Sequence, residues 1–196
     1  MPDMIIDGTG KRYGAAVNSK GRLQTRATAV EQRLKAAIDG DYYEMTTGAL
    51  TITDANEFWP LYMLNSDQNK RVIVIDRLFI DCWESTGGVG GAMIEYYKNP
   101  TATGGTDIVP VDCKFDDLEE PPGTFLKSCT SLTGTEWWKG YVPVGDGIVI
   151  EEGRIVLAPG RSFGVSVVPP TSNTSMVINI NIAFYYLDLV AVGEDK

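Results

Sequence analysis

Near its C-terminus the chain carries an alternation that restricts its fold more than any other feature. Met176, Ile178, Ile180, Ile182, Phe184 and Tyr186 occupy one set of alternate positions, and Val177, Asn179, Asn181, Ala183, Tyr185 and Leu187 the other. Successive side chains of a strand point to opposite faces, so this two-residue period puts six large apolar groups on one side. A helix would scatter them around its axis. The segment is expected to be a long central strand with one face on a core.

Other segments repeat the pattern more briefly. Leu50 and Ile52 alternate with Thr51 and Thr53, and Phe163, Val165 and Val167 with Ser162, Gly164 and Ser166. Val72 to Ile75 and then Leu78 to Ile80 read as a strand buried on both faces. Phe58 to Leu64 contains Pro60, which has no amide hydrogen to donate and suits an edge or a bulge. Met93 to Lys98 follows Gly87–Gly91, a run that reads as a flexible turn or a bulge. Ile148 to Ile150 and Arg154 to Leu157 read as a hairpin joined at Glu151-Glu152-Gly153. About eight strands separated by turn residues, with no strand–helix alternation, point to an all-β chain. The expected fold is an antiparallel two-sheet β-sandwich, jelly-roll-like, preceded by an extended N-terminal arm.

The division into arm (1–40) and body (41–196) comes from charge. Residues 1–40 hold seven basic and four acidic side chains, a net +3, whereas 41–196 hold 10 basic and 22 acidic, a net −12. Gly8, Gly10, Gly14 and Gly21 punctuate the arm, and large apolar residues are few before Leu23, so it cannot build a core of its own. Ala27, Val30, Leu34 and Ala37/Ile38 recur at helical spacing, which predicts a short helix stopped by Gly40. Lys11, Arg12, Lys20, Arg22 and Arg26 are candidate interface residues. Opposite charge draws such an arm to an acidic surface, its own body's or a neighbouring copy's; the alternative is a solvated tail.

Composition excludes several chemistries. The chain has no histidine, which removes Ser-His-Asp and Cys-His catalysis, histidine-ligated metals and histidine pH switches. A net charge of −9 argues against nucleic acid as the main partner. Its 196 residues are enough to bury a core without metals or disulfides. Cys82, Cys113 and Cys129, odd in number and without a C-x-x-C spacing, read as small hydrophobes of a protein made in a reducing cytosol. The first ten residues lack the basic and apolar regions of a signal peptide, and no run is long enough to span a membrane.

Four motifs invite a functional reading. Asp7-Gly8-Thr9-Gly10-Lys11 superficially resembles a phosphate loop, but Ile5 stands where its first glycine belongs and Arg12 where Ser or Thr should follow the lysine. It reads instead as a turn in the arm. Gly87–Gly91 lacks the dinucleotide fingerprint, since Met93 occupies the third glycine position. Asp112, Asp116, Asp117, Glu119 and Glu120 form an acidic loop that could offer oxygen ligands to Ca²⁺. The spacing is not that of an EF-hand, and Pro121-Pro122 fixes the chain, so a solvated loop is the preferred reading. Among so many acids no carboxylate pair stands out for glycoside hydrolysis. Trp137, Trp138 and Tyr141, flanked by Gly134 and Gly140, are the fourth motif. Core packing, sugar stacking and a protein interface all suit them. Adjacent strand residues face opposite ways, which favours one tryptophan in the core and the other at an interface. No catalytic, cofactor-binding or metal-ligating residue is assigned.

Several stretches also carry a resemblance. They are Asp7-Gly8-Thr9-Gly10, Ala16-Val17-Asn18-Ser19-Lys20-Gly21-Arg22-Leu23, Thr47-Gly48-Ala49-Leu50-Thr51-Ile52-Thr53, Ile75-Asp76-Arg77-Leu78, Tyr97-Lys98-Asn99-Pro100-Thr101, Pro159-Gly160-Arg161-Ser162 and the segment from Val167 to Met176. In these the chain resembles tailed-bacteriophage virion structural proteins that place a β-sandwich body behind a glycine-bearing arm. The motifs are turns and strands, without a catalytic signature. The resemblance implies a non-enzymatic capsid decoration or cement protein, a homotrimer bound to the major capsid protein on the virion surface after assembly in the host cytoplasm. A tail, baseplate or head-fibre component with a glycan- or receptor-binding sandwich is the alternative.

Overall fold

The computed structural model describes residues 28–86, 90–114, 120–151, 155–172 and 175–188. A single helix, α1 (Thr28–Asp39), comes first among them. The strands are β1 (Tyr42–Thr46), β2 (Leu50–Ile52), β3 (Phe58–Asn65), β4 (Val72–Thr86), β5 (Gly91–Thr103), β6 (Thr106–Asp107), β7 (Val111–Asp112), β8 (Gly123–Cys129), β9 (Ser131–Pro143), β10 (Asp146–Glu151), β11 (Val156–Leu157), β12 (Ser162–Val168) and β13 (Ser175–Leu187). The compact body starts at Lys35 and so includes the last turn of α1.

Two antiparallel sheets form a sandwich. The first runs β10-β4-β13-β1-β7, with β11 following β10 along β4 and β2 following β1 along β13; the second runs β6-β8-β3-β12-β5-β9. The chain crosses from sheet to sheet at β2–β3, β3–β4, β4–β5, β6–β7, β7–β8, β9–β10, β11–β12 and β12–β13. Setting aside β6–β8, inserted between β5 and β9, each layer has four strand positions and the connectivity is jelly-roll-like.

The core lies where the long alternation places it. All six even-numbered residues from Met176 to Tyr186 join one buried cluster with Ile75, Leu78 and Ile80 of the same sheet and Leu61, Met63, Ile94, Tyr96, Phe163, Val165 and Val167 of the other. Each such side chain is worth roughly 1.5–3 kcal/mol when fully buried. Val72 to Ile75 are buried on both faces, as their continuous apolar pattern predicts. Ile73 and Ile75 face the main core, while Val72 and Val74 pack with Ala36 and Tyr185 on the other side.

The inward positions of β4 change parity along its length, from 73 and 75 to 78, 80 and 82. The cause is a bulge. Ala183 pairs with Arg77 and Phe184 with Ile75, so Asp76 is an extra residue in β4. The Tyr42 hydroxyl donates to Asp76 Oδ2 at 2.7 Å, and the Tyr42 ring stacks on Tyr185 with centroids 6.2 Å apart. A second bulge, at Trp83, leaves that side chain exposed.

Pro60 sits at a bulge inside the second sheet, and its strand is not an edge. β3 lies between β8 and β12, and the ladder to β12 skips from Val165–Leu61 to Val167–Phe58, where the missing amide hydrogen costs nothing. The expected hairpin at 148–157 is not formed. β10 pairs with residues 77–82 of β4 and β11 with 73–74, both antiparallel, so the two pieces lie end to end along one edge. The Ile75 amide donates to the Ile155 carbonyl at 3.0 Å and continues the ladder between them. A fifteen-residue β4 offers more edge than one short strand can cover, and Ile155 and Leu157 gain core burial there.

Phe184 is fully buried and stacks on Tyr43 and Phe125 at 5.6 and 5.3 Å. Phe184→Ala is expected to lower unfolding free energy by about 3–5 kcal/mol, read from urea denaturation. A loss under about 1 kcal/mol would mean that this joint between the layers is not tightly packed.

Candidate functional site

The three aromatic residues singled out in the sequence lie on β9 and have different fates. Trp138 packs against the core with its ring 4.5 Å from that of Tyr96, nearly parallel, and Phe163 beyond at 5.5 Å from Tyr96. Gly140 makes room for it: a Cβ there would fall 2.2 Å from the indole. Trp137 is 47% exposed and Tyr141 52%. Pairing explains the split. Tyr96 is opposite Trp138 and Tyr97 opposite Glu136, so Trp137 is an extra residue turned outward by a bulge. One tryptophan thus packs in the core and the other is turned to the surface. The Tyr141 hydroxyl donates to the Gly90 carbonyl at 2.8 Å. Lys11, Arg12, Lys20, Arg22 and Arg26 lie outside the described residues.

Trp137 lines a cavity of about 440 Å³. Two sequence stretches far apart in the chain meet there: Tyr97, Lys98 and Asn99 from β5, and Arg161 and Ser162 from the start of β12. The Ser162 hydroxyl donates to the Pro100 carbonyl at 2.6 Å and holds the stretches together. Ile155, Leu157 and Phe163, all buried, supply apolar lining. Neither Trp138 nor Tyr141 lines this cavity, so the three aromatics do not form one platform.

A polar cluster that the sequence did not announce lies beside it. Glu95 is buried, yet both its oxygens are engaged: Lys139 bonds Oε1, while Tyr97 and Ser166 donate to Oε2 at 3.3 and 3.4 Å. The Tyr97 hydroxyl also lies 3.3 Å from Glu57 Oε1. Burial and these two carboxylates push the Tyr97 pKa up to about 12. The cluster satisfies its own charges and leaves no Glu95 oxygen turned toward a substrate.

A second cluster closes the turn from β3 to β4. Asp67 accepts from Arg71 Nε at 2.8 Å and from the amides of Asn69 and Arg71 at 3.1 Å. Arg71 also reaches Asp41 at 2.6 Å, and its guanidinium lies over the Tyr186 ring at 4.8 Å. Burial raises the Asp67 pKa, but the hydrogen bonds from Arg71 and the two amides outweigh it and hold the carboxyl below its ordinary value. Burial keeps the Asp41 carboxyl above its ordinary value despite Arg71.

The remaining candidates carry little chemistry. Cys82 and Cys129 are buried and Cys113 half-buried, all as free thiols. Burial raises all three thiol pKa values, that of Cys113 to about 11 with help from Glu44 and Asp112, so they resist ionisation. Of the acidic loop, Asp112 and Glu120 are described and Asp116, Asp117 and Glu119 are not. The Asp112 carboxylate accepts from the Lys114 amide at 2.8 Å. Among the described residues no three His, Cys, Asp or Glu side chains group to hold a metal, and no helix is long and apolar enough to cross a membrane.

Asp67 gives a pH test. Its native pKa lies below the ordinary 3.8, so its contribution is complete above that value and is lost as pH falls through the native pKa. Asp67→Asn is expected to be less stable than the parent at neutral pH, with the difference shrinking in acid below 3.8, as read from urea midpoints across pH. A difference independent of pH would show that the carboxylate's charge is not what holds the turn. Compared with protein-family models, with curated proteins and with solved structures, the chain matches none of them.

Proposed function

We propose that the chain is a non-enzymatic phage virion structural protein: a capsid decoration or cement protein that binds the major capsid protein lattice as a trimer and stabilises the head. The observation that carries this reading is on α1. Leu34 and Ile38, one turn apart, are 60% and 63% exposed, while Ala36 is buried against Val72, Val74 and Tyr185. An apolar stripe with its large residues in water is a surface for another chain. In the sequence the stripe continues through Val30 at the three-and-four spacing by which identical helices associate. Val109 and Val111, exposed at the β7 edge, add a second apolar surface for a neighbour. The cationic arm ahead of an acidic body supports the same reading, because each arm has an oppositely charged surface on the next copy.

The second reading, a tail, baseplate or head-fibre component with a glycan- or receptor-binding sandwich, draws support from the outward Trp137 and its cavity.

Copy number in purified virions, measured against the major shell protein by quantitative mass spectrometry, separates the two. Hundreds of copies fit the cement reading; a handful in multiples of three or six fit the tail. The doubly substituted Leu34→Asp, Ile38→Asp protein is expected to elute as a folded monomer where the parent is a trimer, with mass read by light scattering. A parent that is itself monomeric at tens of micromolar would remove the helix argument. A chain lacking residues 1–27, cut before α1, is expected to keep the sandwich's unfolding midpoint and lose occupancy on capsids. Full occupancy would acquit the arm of any role in attachment.

A further inference from the structure

The cavity at Trp137 is unlike the rest of this molecule in charge. Acidic residues outnumber basic ones by 26 to 17, yet among the described residues the cavity lining includes Lys98 and Arg161 and no carboxylate. Neither cation forms an ion pair among the described residues. Unpaired like charges at one cavity repel each other and are stabilised by an anion between them. The backbone is also shaped around this place. One bulge in the β5–β9 ladder makes Trp137 the extra residue, and a second, between Lys98–Thr135 and Thr101–Thr133, lies at Asn99, whose φ is 50°. Bulges re-aim side chains, and here the two bracket the three β5 residues that line the cavity.

We propose that this cavity binds an acidic sugar residue, a uronic or sialic acid unit. The half-exposed indole of Trp137, backed by Tyr96 at 6.0 Å, gives a flat wall for the apolar face of a pyranose ring. Arg161 and Lys98 take the carboxylate, the guanidinium in the two-pronged geometry that suits it. The exposed Asn99 amide can both donate to and accept from ring hydroxyls. The apolar lining by Ile155, Leu157 and Phe163 lowers the local dielectric and strengthens the charged contacts. The volume of about 440 Å³ lies within the range of small-molecule sites, roughly 300–1,000 Å³. A bare phosphate would use the two cations and leave the aromatic wall idle, so the wall argues for a ring. The inference needs no particular place in a virion. Sugar binding by the isolated protein tests it, while copy number tests the location, and either can fail alone.

The experiment is calorimetric titration of the whole chain with oligogalacturonate, oligoglucuronate and sialyllactose. Maltotetraose and lactose serve as neutral counterparts and sodium phosphate as the bare anion. At least one acidic oligosaccharide is expected to bind saturably, about tenfold or more tighter than its neutral counterpart. Arg161→Gln and Lys98→Gln should each weaken it by about tenfold. Trp137→Ala should abolish it, with Trp137→Phe retaining part; thermal unfolding confirms that each variant is folded. Equal binding of acidic and neutral sugars overturns the proposal, as does the absence of binding by every acidic probe. Phosphate binding that matches the acidic sugars and ignores Trp137→Ala would also overturn it, in favour of a plain anion site.

Discussion

The pairing of β13 with β4 is the contact on which the other parts rest. It runs from Ser175–Thr86 to Leu187–Val72, joins the two longest strands of the first sheet, and gives the facing sheet most of what it packs against. β13 keeps a strict two-residue period, and β4 takes up every irregularity between them. Asp76 shows what that costs and how the cost is met. A buried acidic side chain would be expensive alone, and the Tyr42 hydroxyl offsets part of that with a hydrogen bond from β1, across the width of β13. The bulge is thereby tied to a third strand.

Two other buried carboxylates are met by partners in the same way. The buried carboxylates Asp67 and Glu95 each face a cation, Arg71 or Lys139, with further donors completing the shell. Both clusters sit where the backbone leaves the regular ladder, one at the β3–β4 turn and the other beside the Trp137 bulge. They hold irregular backbone in place where apolar packing has least purchase. Lys98 and Arg161 depart from this pattern, being cations without an acid among the described residues.

Much of this was legible in the sequence, for a local reason. The face assignment of β13 follows from alternation alone, and the double burial of Val72 to Ile75 from a continuous apolar run. Pro60 marked its bulge because a missing amide hydrogen is a local fact. Three features were not legible, because each depends on what arrives from elsewhere. The segments at 148–150 and 154–157 look like a hairpin until the length of β4 is known. The spacing of Leu34 and Ile38 predicts a helix but not which face meets the body, and among the described residues Ala36 packs there, against Val72, Val74 and Tyr185. The cavity joins stretches sixty residues apart, and no spacing rule brings Lys98 to Arg161. The fold's connectivity was legible as a class; the candidate site was legible only at Trp137.

The way β10 and β11 share one edge of β4 bears on how many copies can be crowded together. An exposed strand edge is a template on which another molecule can add a strand, and from there a fibre can grow. The first sheet ends in a broken strand on one side and the two-residue β7 on the other, and the second ends in the two-residue β6 and in β9. β9 is long enough to act as a template, but it is kinked at Trp137 and carries Glu136 and Lys139. The two-residue β6 and β7, the break between β10 and β11 and the kink in β9 each make these borders poorer templates for strand addition than one long flat edge. Borders of this kind favour contact between copies through side chains over the addition of strands.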